Sequence, residues 1–281
     1  MNRYHDYKIP HIIHISLRVS SLSISKRFYQ NLLGLQVIDE TEETVVLGTK
    51  TKSLLTLVKA DKKNLFTEGL YHVAFLLESM EELAKWFLYQ QKQNLMIDGA
   101  SNHLVSQAFY LSDPDGNGIE VYADVADSYW NYVNNAIKMD TLPLNIEKLV
   151  EGIKTPKTLE MDVTIGHLHL KTKDAQKMGE FYKLLGLDIT LNMGHAVFMS
   201  FHQYHHHLGF NQWNKNKMIE HQTDDVDIEE FTIQYPSKQE MYSVIKELNS
   251  NQVAVLNSQE QMIIYDPMNM KVVLTYYSLP Q

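Results

Sequence analysis

The chain has 281 residues, of which 44% are hydrophobic, and carries a formal charge of −9 at neutral pH. That composition supports a sizeable core and excludes an intrinsically disordered chain. Lysine and arginine are scattered rather than clustered into a basic stripe, so no nucleic-acid partner is expected. Cysteine is absent, which excludes disulfides, thiolate ligands and a cysteine nucleophile.

One pattern of strand, helix and closing glycine occurs in the first and third quarters of the chain. The two copies read HISL at 14–17, FY at 28–29 and LLGL at 32–35, then HLHL at 167–170, FY at 181–182 and LLGL at 184–187. In each copy the tyrosine follows the first histidine by fifteen positions. This spacing predicts a strand, then a helix that buries its Phe, Tyr and Leu side chains and ends at the glycine.

Two weaker copies of the pattern lie between and after these. Each has an apolar strand, at 70–75 or 230–235, and then a capping box that opens a helix at Ser79 or Ser237. Further strands are predicted near 104–111, 119–122, 262–265 and 271–276. The chain is therefore predicted to contain four β-α-β-β-β units, near residues 11–60, 69–124, 163–214 and 226–277.

The stretch between the second and third units is long for a connection, although it contains a predicted short helix at 145–151. We therefore predict an N-terminal half at 1–124, a linker at 125–161 and a C-terminal half at 162–281. Each half contains two units, and we expect these two units to pair with each other.

The segment FYLSDPDGNGIEVY at 109–122 predicts a turn followed by a strand. Within that strand Glu120 lies between Ile119 and Val121, so its side chain points to the opposite face from both. That face is either solvent or a cavity, and a carboxylate inside a cavity needs a cation as its partner. Because histidines lie inside other apolar strands, we expect Glu120 to face a cavity.

With its repeated units and the DPDGNGIE turn, the sequence resembles the vicinal oxygen chelate superfamily over nearly its whole length. That superfamily contains glyoxalases, bleomycin resistance proteins and extradiol dioxygenases. The resemblance implies an α+β fold in which four βαβββ modules pair into two curved open β-barrels. Histidine-rich strands make the chain most similar to the catechol 2,3-dioxygenase branch. This implies an extradiol dioxygenase that opens a catechol-like ring and inserts both atoms of O2.

The resemblance also implies metal ligands, because this family takes them from the first and last strands of paired units. The matching positions with suitable side chains are His72, Glu120 and His167. Two imidazoles and one carboxylate imply Fe(II), and Mn(II) suits the same ligands. His14 occupies the repeat position of His167 and is the alternative ligand. In the fourth unit Val273 replaces the carboxylate, so we expect the site between the second and third units.

Candidate catalytic residues follow from the same resemblance. The sequence HHHL at 205–208 matches the family's His-His-x-Leu pattern and implies that His206 transfers protons to and from the substrate. His207 would face the opposite side of the strand, so only one of the two can serve. Tyr110, ten residues before the carboxylate ligand, would hydrogen-bond the substrate, and His103 lies close to a second histidine position of the family.

Two other interpretations use the same scaffold. A glyoxalase-like isomerase or thiol transferase would need a second metal carboxylate, whereas a resistance protein that sequesters an aromatic drug would need no metal. No apolar run is long enough for a membrane span or a signal peptide, so we expect a cytoplasmic protein without a membrane partner. The expected partners are a small catechol-like substrate and O2, and analogy with relatives implies a homodimer.

Overall fold

The computed structural model describes residues 3–60, 66–133, 136–222, 224–258 and 261–278. The four units follow one another along the chain. The first contains β1 His11–Val19, α1 Leu22–Leu33, β2 Gln36–Glu40, β3 Thr44–Gly48 and β4 Ser53–Lys59. The second contains β5 Gly69–Leu77, α2 Met80–Lys92, β6 Gly99–Asn102, β7 Ser106–Ser112 and β8 Gly118–Asp124.

Short elements and the last two units complete the described chain. The linker contains β9 Tyr132–Val133, β10 Ala136–Ile137, β11 Leu142–Pro143 and α3 Ile146–Val150. The third unit contains β12 Val163–Lys171, α4 Ala175–Lys183, β13 Asp188–Asn192, β14 Ala196–Ser200 and β15 Leu208–Asn211. The fourth contains β16 Ile228–Tyr235, α5 Lys238–Ser250, β17 Leu256–Ser258, β18 Gln261–Tyr265 and β19 Lys271–Tyr276.

The helices begin and end where the sequence provides caps. The hydroxyls of Ser79 and Ser237 accept the backbone N–H groups of Glu82 and Glu240, which confirms both predicted helix starts. Helix α1 ends at Gly34, whose φ of +69° is left-handed and costs glycine nothing because it has no Cβ atom. The local pattern of the sequence therefore determines these boundaries.

Two sheets contain most of the strands. The eight-stranded sheet has the order β17-β18-β19-β16-β1-β4-β3-β2, so it joins the first and fourth units. The nine-stranded sheet has the order β11-β6-β7-β8-β5-β12-β15-β14-β13, so it joins the second and third units. In each sheet the first strands of the two units pair antiparallel, β1 with β16 and β5 with β12. The α+β class and the four-unit fold are confirmed, with both sheets open rather than closed.

This strand order corrects the expectation that the two units of each half share a sheet. Within each half the units meet through helices instead. The Tyr29 hydroxyl on α1 donates to Asp113 Oδ2 at 3.0 Å, and the Tyr182 hydroxyl on α4 donates to Asp266 Oδ2 at 3.0 Å. Because all units carry the same local pattern, the choice of sheet partner depends on contacts between residues distant in sequence.

The linker contributes to the nine-stranded sheet. Its strand β11 pairs with β6 at the sheet edge, and the predicted helix at 145–151 corresponds to α3. One contiguous cluster of buried apolar side chains draws on both sheets and on α1, α2, α4 and α5. Each sheet therefore packs one face against a shared core, and its opposite face remains available for a site.

Among the described residues, no helix combines the length and the apolar character that crossing a bilayer requires.

Candidate metal centre

Three predicted ligands converge at the centre of the nine-stranded sheet. His72 is on β5, Glu120 on β8 and His167 on β12, which are neighbouring strands. The Nε2 atoms of the two histidines are 3.2 Å apart, although the residues are separated by 95 positions in sequence. Glu120 Oε2 lies 3.2 Å from His72 Nε2 and 3.4 Å from His167 Nε2. Pairing of the second and third units therefore assembles the group.

Burial and mutual contact determine the protonation of Glu120 and His167. Burial alone would raise the pKa of Glu120, but His167 and His72 outweigh it and hold the carboxyl pKa well below its usual value. Burial lowers the pKa of His167 to about 4, although Glu120 acts in the opposite direction. At pH 7 Glu120 is therefore ionised and His167 is neutral, the forms in which these side chains bind metals.

The donor atoms fit a divalent transition metal. Imidazole nitrogen and carboxylate oxygen bind such ions at about 2.0–2.2 Å, so ligands at right angles around the ion are about 3 Å apart. The three spacings of 3.2–3.4 Å are close to that value. Within the described part of the chain, His72, Glu120 and His167 are the one group of at least three such side chains with metal-ligand spacing.

The three residues lie in the wall of a cavity of about 460 Å³. That volume is within the usual range of small-molecule sites, about 300–1,000 Å³. Two aromatic walls, Tyr71 and Trp213, are 43% and 45% exposed, and their rings meet edge to face at 5.0 Å. Beyond these five residues, the lining consists of Ser101, His103, Val105, Ser106, Tyr110, Met139, Asp140, Thr141, His169, Leu191, Met193, His195, Ala196, Phe198 and His206. The volume therefore fits a small-molecule ligand.

Tyr110 and His103 reach the cavity as a hydrogen-bonded pair. Tyr110 lies on β7 directly opposite Glu120. Its hydroxyl contacts His103 Nε2, and His103 Nδ1 lies 2.8 Å from the carbonyl oxygen of Asp140. Since that carbonyl only accepts, a neutral His103 carries its hydrogen on Nδ1, and its Nε2 accepts from the Tyr110 hydroxyl. Burial and the nearby Glu120 raise the pKa of Tyr110, so it stays a phenol.

The two candidate catalytic histidines at 206 and 207 have different surroundings. His206 lines the cavity, with its ring centroid 4.1 Å from that of His167. His207 is buried outside the cavity, where its Nδ1 accepts the Phe201 N–H at 3.2 Å and its Nε2 lies 3.2 Å from the Tyr4 carbonyl oxygen. Both precede β15 rather than lying on it. This corrects the expectation for His207, whose ring holds the loop before β15 to the N-terminal segment.

His14 lies on the other sheet. Its Nε2 is 3.1 Å from Thr56 Oγ1, within the first unit. No strand of the first unit contributes to the nine-stranded sheet, so His14 does not meet His72 or Glu120. The pairing of units, rather than position within the repeat, determines that His167 joins the carboxylate.

His169 also lines the cavity, although it was not among the predicted site residues. It follows His167 by two residues on β12, so both side chains face the same side, and it lies opposite His72 on β5. Its ring covers Gly209, where an added Cβ atom would come within 3.0 Å of the ring. The sequence HLHL contained the signal, since alternate residues of a strand share a face.

Known proteins resemble this chain in sequence. A sequence model described as the Glyoxalase/Bleomycin resistance protein/Dioxygenase superfamily matches residues 11–121. Catechol-2,3-dioxygenase of Bacillus subtilis (strain 168) is 32% identical over 275 residues, which cover 92% of this chain and 94% of that protein.

Two solved structures share the fold. A candidate dioxygenase from Bacillus subtilis subsp. subtilis str. 168 has a TM-score of 0.67 at 12% identity, covering 95% of this chain and 84% of that one. Glyoxalase I from Zea mays has a TM-score of 0.55 at 16% identity, covering 94% of this chain and 92% of that one.

Proposed function

We propose that this chain, which belongs to the Glyoxalase/Bleomycin resistance protein/Dioxygenase superfamily, is a metal-dependent extradiol dioxygenase. Its reaction would open a catechol-like ring next to the hydroxyl groups and add both atoms of O2 to the product. The observation that carries this proposal is the convergence of His72, Glu120 and His167 on a cavity of about 460 Å³. The relative named Catechol-2,3-dioxygenase supports the same reaction class.

Fe(II) is the proposed metal, and Mn(II) suits the same ligands. His72, His167 and Glu120 would hold it, and two imidazoles with one carboxylate leave coordination positions open, as is typical of non-haem Fe(II) oxygenases. When bound, the metal would bring catechol oxygens and O2 together and pass electrons between them. A single carboxylate also keeps the charge of the site low, which favours binding of a deprotonated catechol.

His206 is the proposed proton acceptor. Its ring lines the cavity beside His167 and is close enough to this ligand to reach a substrate held there. Burial and the neighbouring imidazoles lower the pKa of His206 well below its usual value, so the ring is neutral at pH 7. A neutral imidazole can take the proton of a catechol hydroxyl and later return it to an oxygen atom of the opening ring.

Tyr110 and His103 are proposed to orient the substrate from the opposite wall. The hydrogen of the Tyr110 hydroxyl is directed at His103, so the phenol oxygen keeps a lone pair for a hydroxyl of the substrate. His103 is in turn held by the Asp140 carbonyl oxygen. The pair would therefore fix the ring position through hydrogen bonds.

The test is anaerobic reconstitution of the purified protein with Fe(II), followed by addition of catechol and air. We expect O2 uptake with an equimolar amount of a coloured ring-opened product. The near-isosteric variant Glu120→Gln should lose both. Absence of O2 uptake and of coloured product with catechol and with several alkyl catechols would reject the dioxygenase proposal. A thiol-dependent reaction that ignores O2 would then indicate a glyoxalase-like isomerase or thiol transferase.

A further inference from the structure

A hydrogen-bonded series of three side chains leads from the end of β8 to the cavity. Asp124 is the last residue of β8, and its Oδ1 lies 2.9 Å from His205 Nε2. His205 Nδ1 lies 2.7 Å from His206 Nδ1. His206 then lines the cavity beside the proposed metal ligands. These contacts join an acidic residue to the proposed proton acceptor across 82 positions of sequence.

With Asp124 ionised and His205 neutral, the hydrogen-bonding capacity of each group fixes where the hydrogens lie. An ionised carboxylate only accepts, so the hydrogen between Asp124 and His205 is on His205 Nε2. A neutral imidazole carries one hydrogen, so His205 Nδ1 is an acceptor. The short contact between the two rings then requires the hydrogen of His206 to be on its Nδ1. His206 Nε2 is left with a lone pair and, among the described residues, has no hydrogen-bond partner.

Asp124 and His205, which begin this series, are held rigidly. The Tyr204 hydroxyl lies 3.1 Å and 3.0 Å from the two carboxylate oxygens of Asp124, and the Tyr122 hydroxyl lies 2.8 Å from that of Tyr204. His205 is fully buried, and its ring packs on Tyr204 at 3.9 Å and on Trp130 at 5.5 Å. A packed ring between a fixed carboxylate and His206 has little freedom to turn.

We propose that Asp124 and His205 are positioning residues that fix the orientation and tautomer of His206, so that its Nε2 reaches the cavity without a hydrogen. The proposal rests on the proposed dioxygenase function for its purpose, but the tautomer itself is a property of the folded chain. The more stable tautomer of a free, neutral histidine side chain carries its hydrogen on Nε2, which then could not accept a proton from a substrate. His205 and Asp124 would reverse that preference.

The experiment locates the hydrogens on the imidazole nitrogens directly, in the metal-free full chain labelled with ¹⁵N-histidine. Long-range ¹H–¹⁵N spectra at pH 7 distinguish ring nitrogens that carry a hydrogen from those that do not, and His206→Gln assigns the signals. We expect His206 to have its hydrogen on Nδ1 and a bare Nε2, and His205 to be neutral with its hydrogen on Nε2. A hydrogen on His206 Nε2, or a doubly protonated His205, would overturn the proposal without any variant.

Two variants test the cause. His205→Phe keeps a ring for packing but removes the acceptor, so the hydrogen of His206 should move to Nε2. Asp124→Asn offers His205 both an acceptor and a donor, so His206 should become a mixture of tautomers. His14→Phe, in the other sheet, should leave the spectrum of His206 unchanged. An unchanged His206 tautomer in folded His205→Phe protein would overturn the proposed cause.

Turnover provides a second measurement that is separate from the first. With Fe(II) bound, His205→Phe should lower kcat by about 10²-fold, the scale of a positioned acid–base group, with a much smaller change in KM. Unchanged kcat would show that the tautomer does not matter to turnover and would overturn the positioning role. If no catechol supports O2 uptake by the unmodified protein, the dioxygenase proposal fails while the spectra still decide the tautomer.

Discussion

The two sheets hold equivalent strand positions but carry different chemistry. In the register of the paired first strands, His14 of the eight-stranded sheet corresponds to His167 of the nine-stranded sheet. By the same register, Glu230 corresponds to His72. One histidine is thus present in both sheets, whereas an acid occupies the place of the second histidine in the eight-stranded sheet. The backbone alone therefore does not make a metal site.

The neighbouring last strands differ further. Val273 on β19 corresponds to Glu120 on β8, and Lys271 corresponds to Gly118. The ammonium nitrogen of Lys271 lies 2.5 Å from Glu230 Oε2. Lys271 thus neutralises the carboxylate of Glu230 in the eight-stranded sheet. In the nine-stranded sheet the carboxylate of Glu120 faces two imidazoles instead. The comparison indicates that a few side chains separate a sheet with a candidate metal site from an ion-paired one.

The largest effect is expected from Glu120→Gln. Loss of the one carboxylate should remove metal binding and lower dioxygenase activity by more than about 10²-fold. Changing a residue that only hydrogen-bonds to a metal ligand already lowers metal affinity or activity by about 10–100-fold. Metal content measured by mass spectrometry and O2 uptake would check this. Glu230→Gln is the matched control and should change neither. Metal bound at full occupancy by Glu120→Gln protein would contradict the assigned ligand set.

A grafted site would test the comparison in the opposite direction. The triple variant Glu230→His, Lys271→Gly and Val273→Glu should reproduce, together with His14, the donor set of the nine-stranded sheet. We expect it to bind one additional divalent ion per chain, measured by titration calorimetry with Mn(II). The double variant that keeps Val273 is the control and should bind none in addition. Equal stoichiometry for both variants would show that more than these positions distinguishes the sheets.

The two equivalent histidines should differ in their effect on acid stability. Each pKa unit corresponds to about 1.4 kcal/mol, so lowering the pKa of His167 from 6.5 to about 4 corresponds to about 3 kcal/mol. Between pH 6.5 and 4 the unfolded chain gains a proton that folded His167 does not. The free energy of unfolding of the metal-free protein should therefore fall as pH drops through this window and level off below it.

Urea unfolding between pH 4 and 7 would measure this slope. His167→Asn should flatten it more than His14→Asn. Burial lowers both pKa values, but His167 is fully buried whereas His14 is only partly buried. The slope that remains should come from other buried histidines, such as His5 and His169, whose pKa values burial also lowers. Equal slopes for the two asparagine variants would contradict the proposed difference.

The smallest effect is expected from Lys271→Met. The ion pair with Glu230 is partly exposed, since 34% of the lysine side chain and 20% of the glutamate side chain are accessible. Such pairs contribute about 1 kcal/mol or less to stability. Thermal unfolding should therefore change little, and O2 uptake should not change. Lys271→Arg keeps the charge and serves as control. A large loss of activity in Lys271→Met alone would contradict this expectation, because it would show that the ion pair in one sheet affects the site in the other.

Repetition explains how much could be predicted from the sequence. The equal spacing of histidine and tyrosine in two units located His167, and the turn before Glu120 located the last strand of the second unit. Cap residues such as Ser79 gave the helix starts. These features are local, so periodicity and turn chemistry are sufficient to recognise them.

The remaining features depend on contacts between distant parts of the chain. Four similar units allow several pairings, and the pairing within halves that the sequence suggested is not the one in the sheets. The link from Asp124 to His205 joins residues 81 positions apart and leaves no spacing signal. His207 belongs to the same run of histidines as His206, but its side chain contacts the N-terminal segment instead of the cavity.

The exchange of units between halves has a consequence for how the two sheets can change over evolutionary time. Two identical half-length chains arranged in this way would form a symmetric dimer with two identical sheets, and every substitution would appear twice. A tandem chain removes that constraint, since each sheet combines one unit from either half and no sequence is shared between the sheets. One sheet can then lose its ligands while the other keeps them, which a symmetric assembly of half-chains could not do.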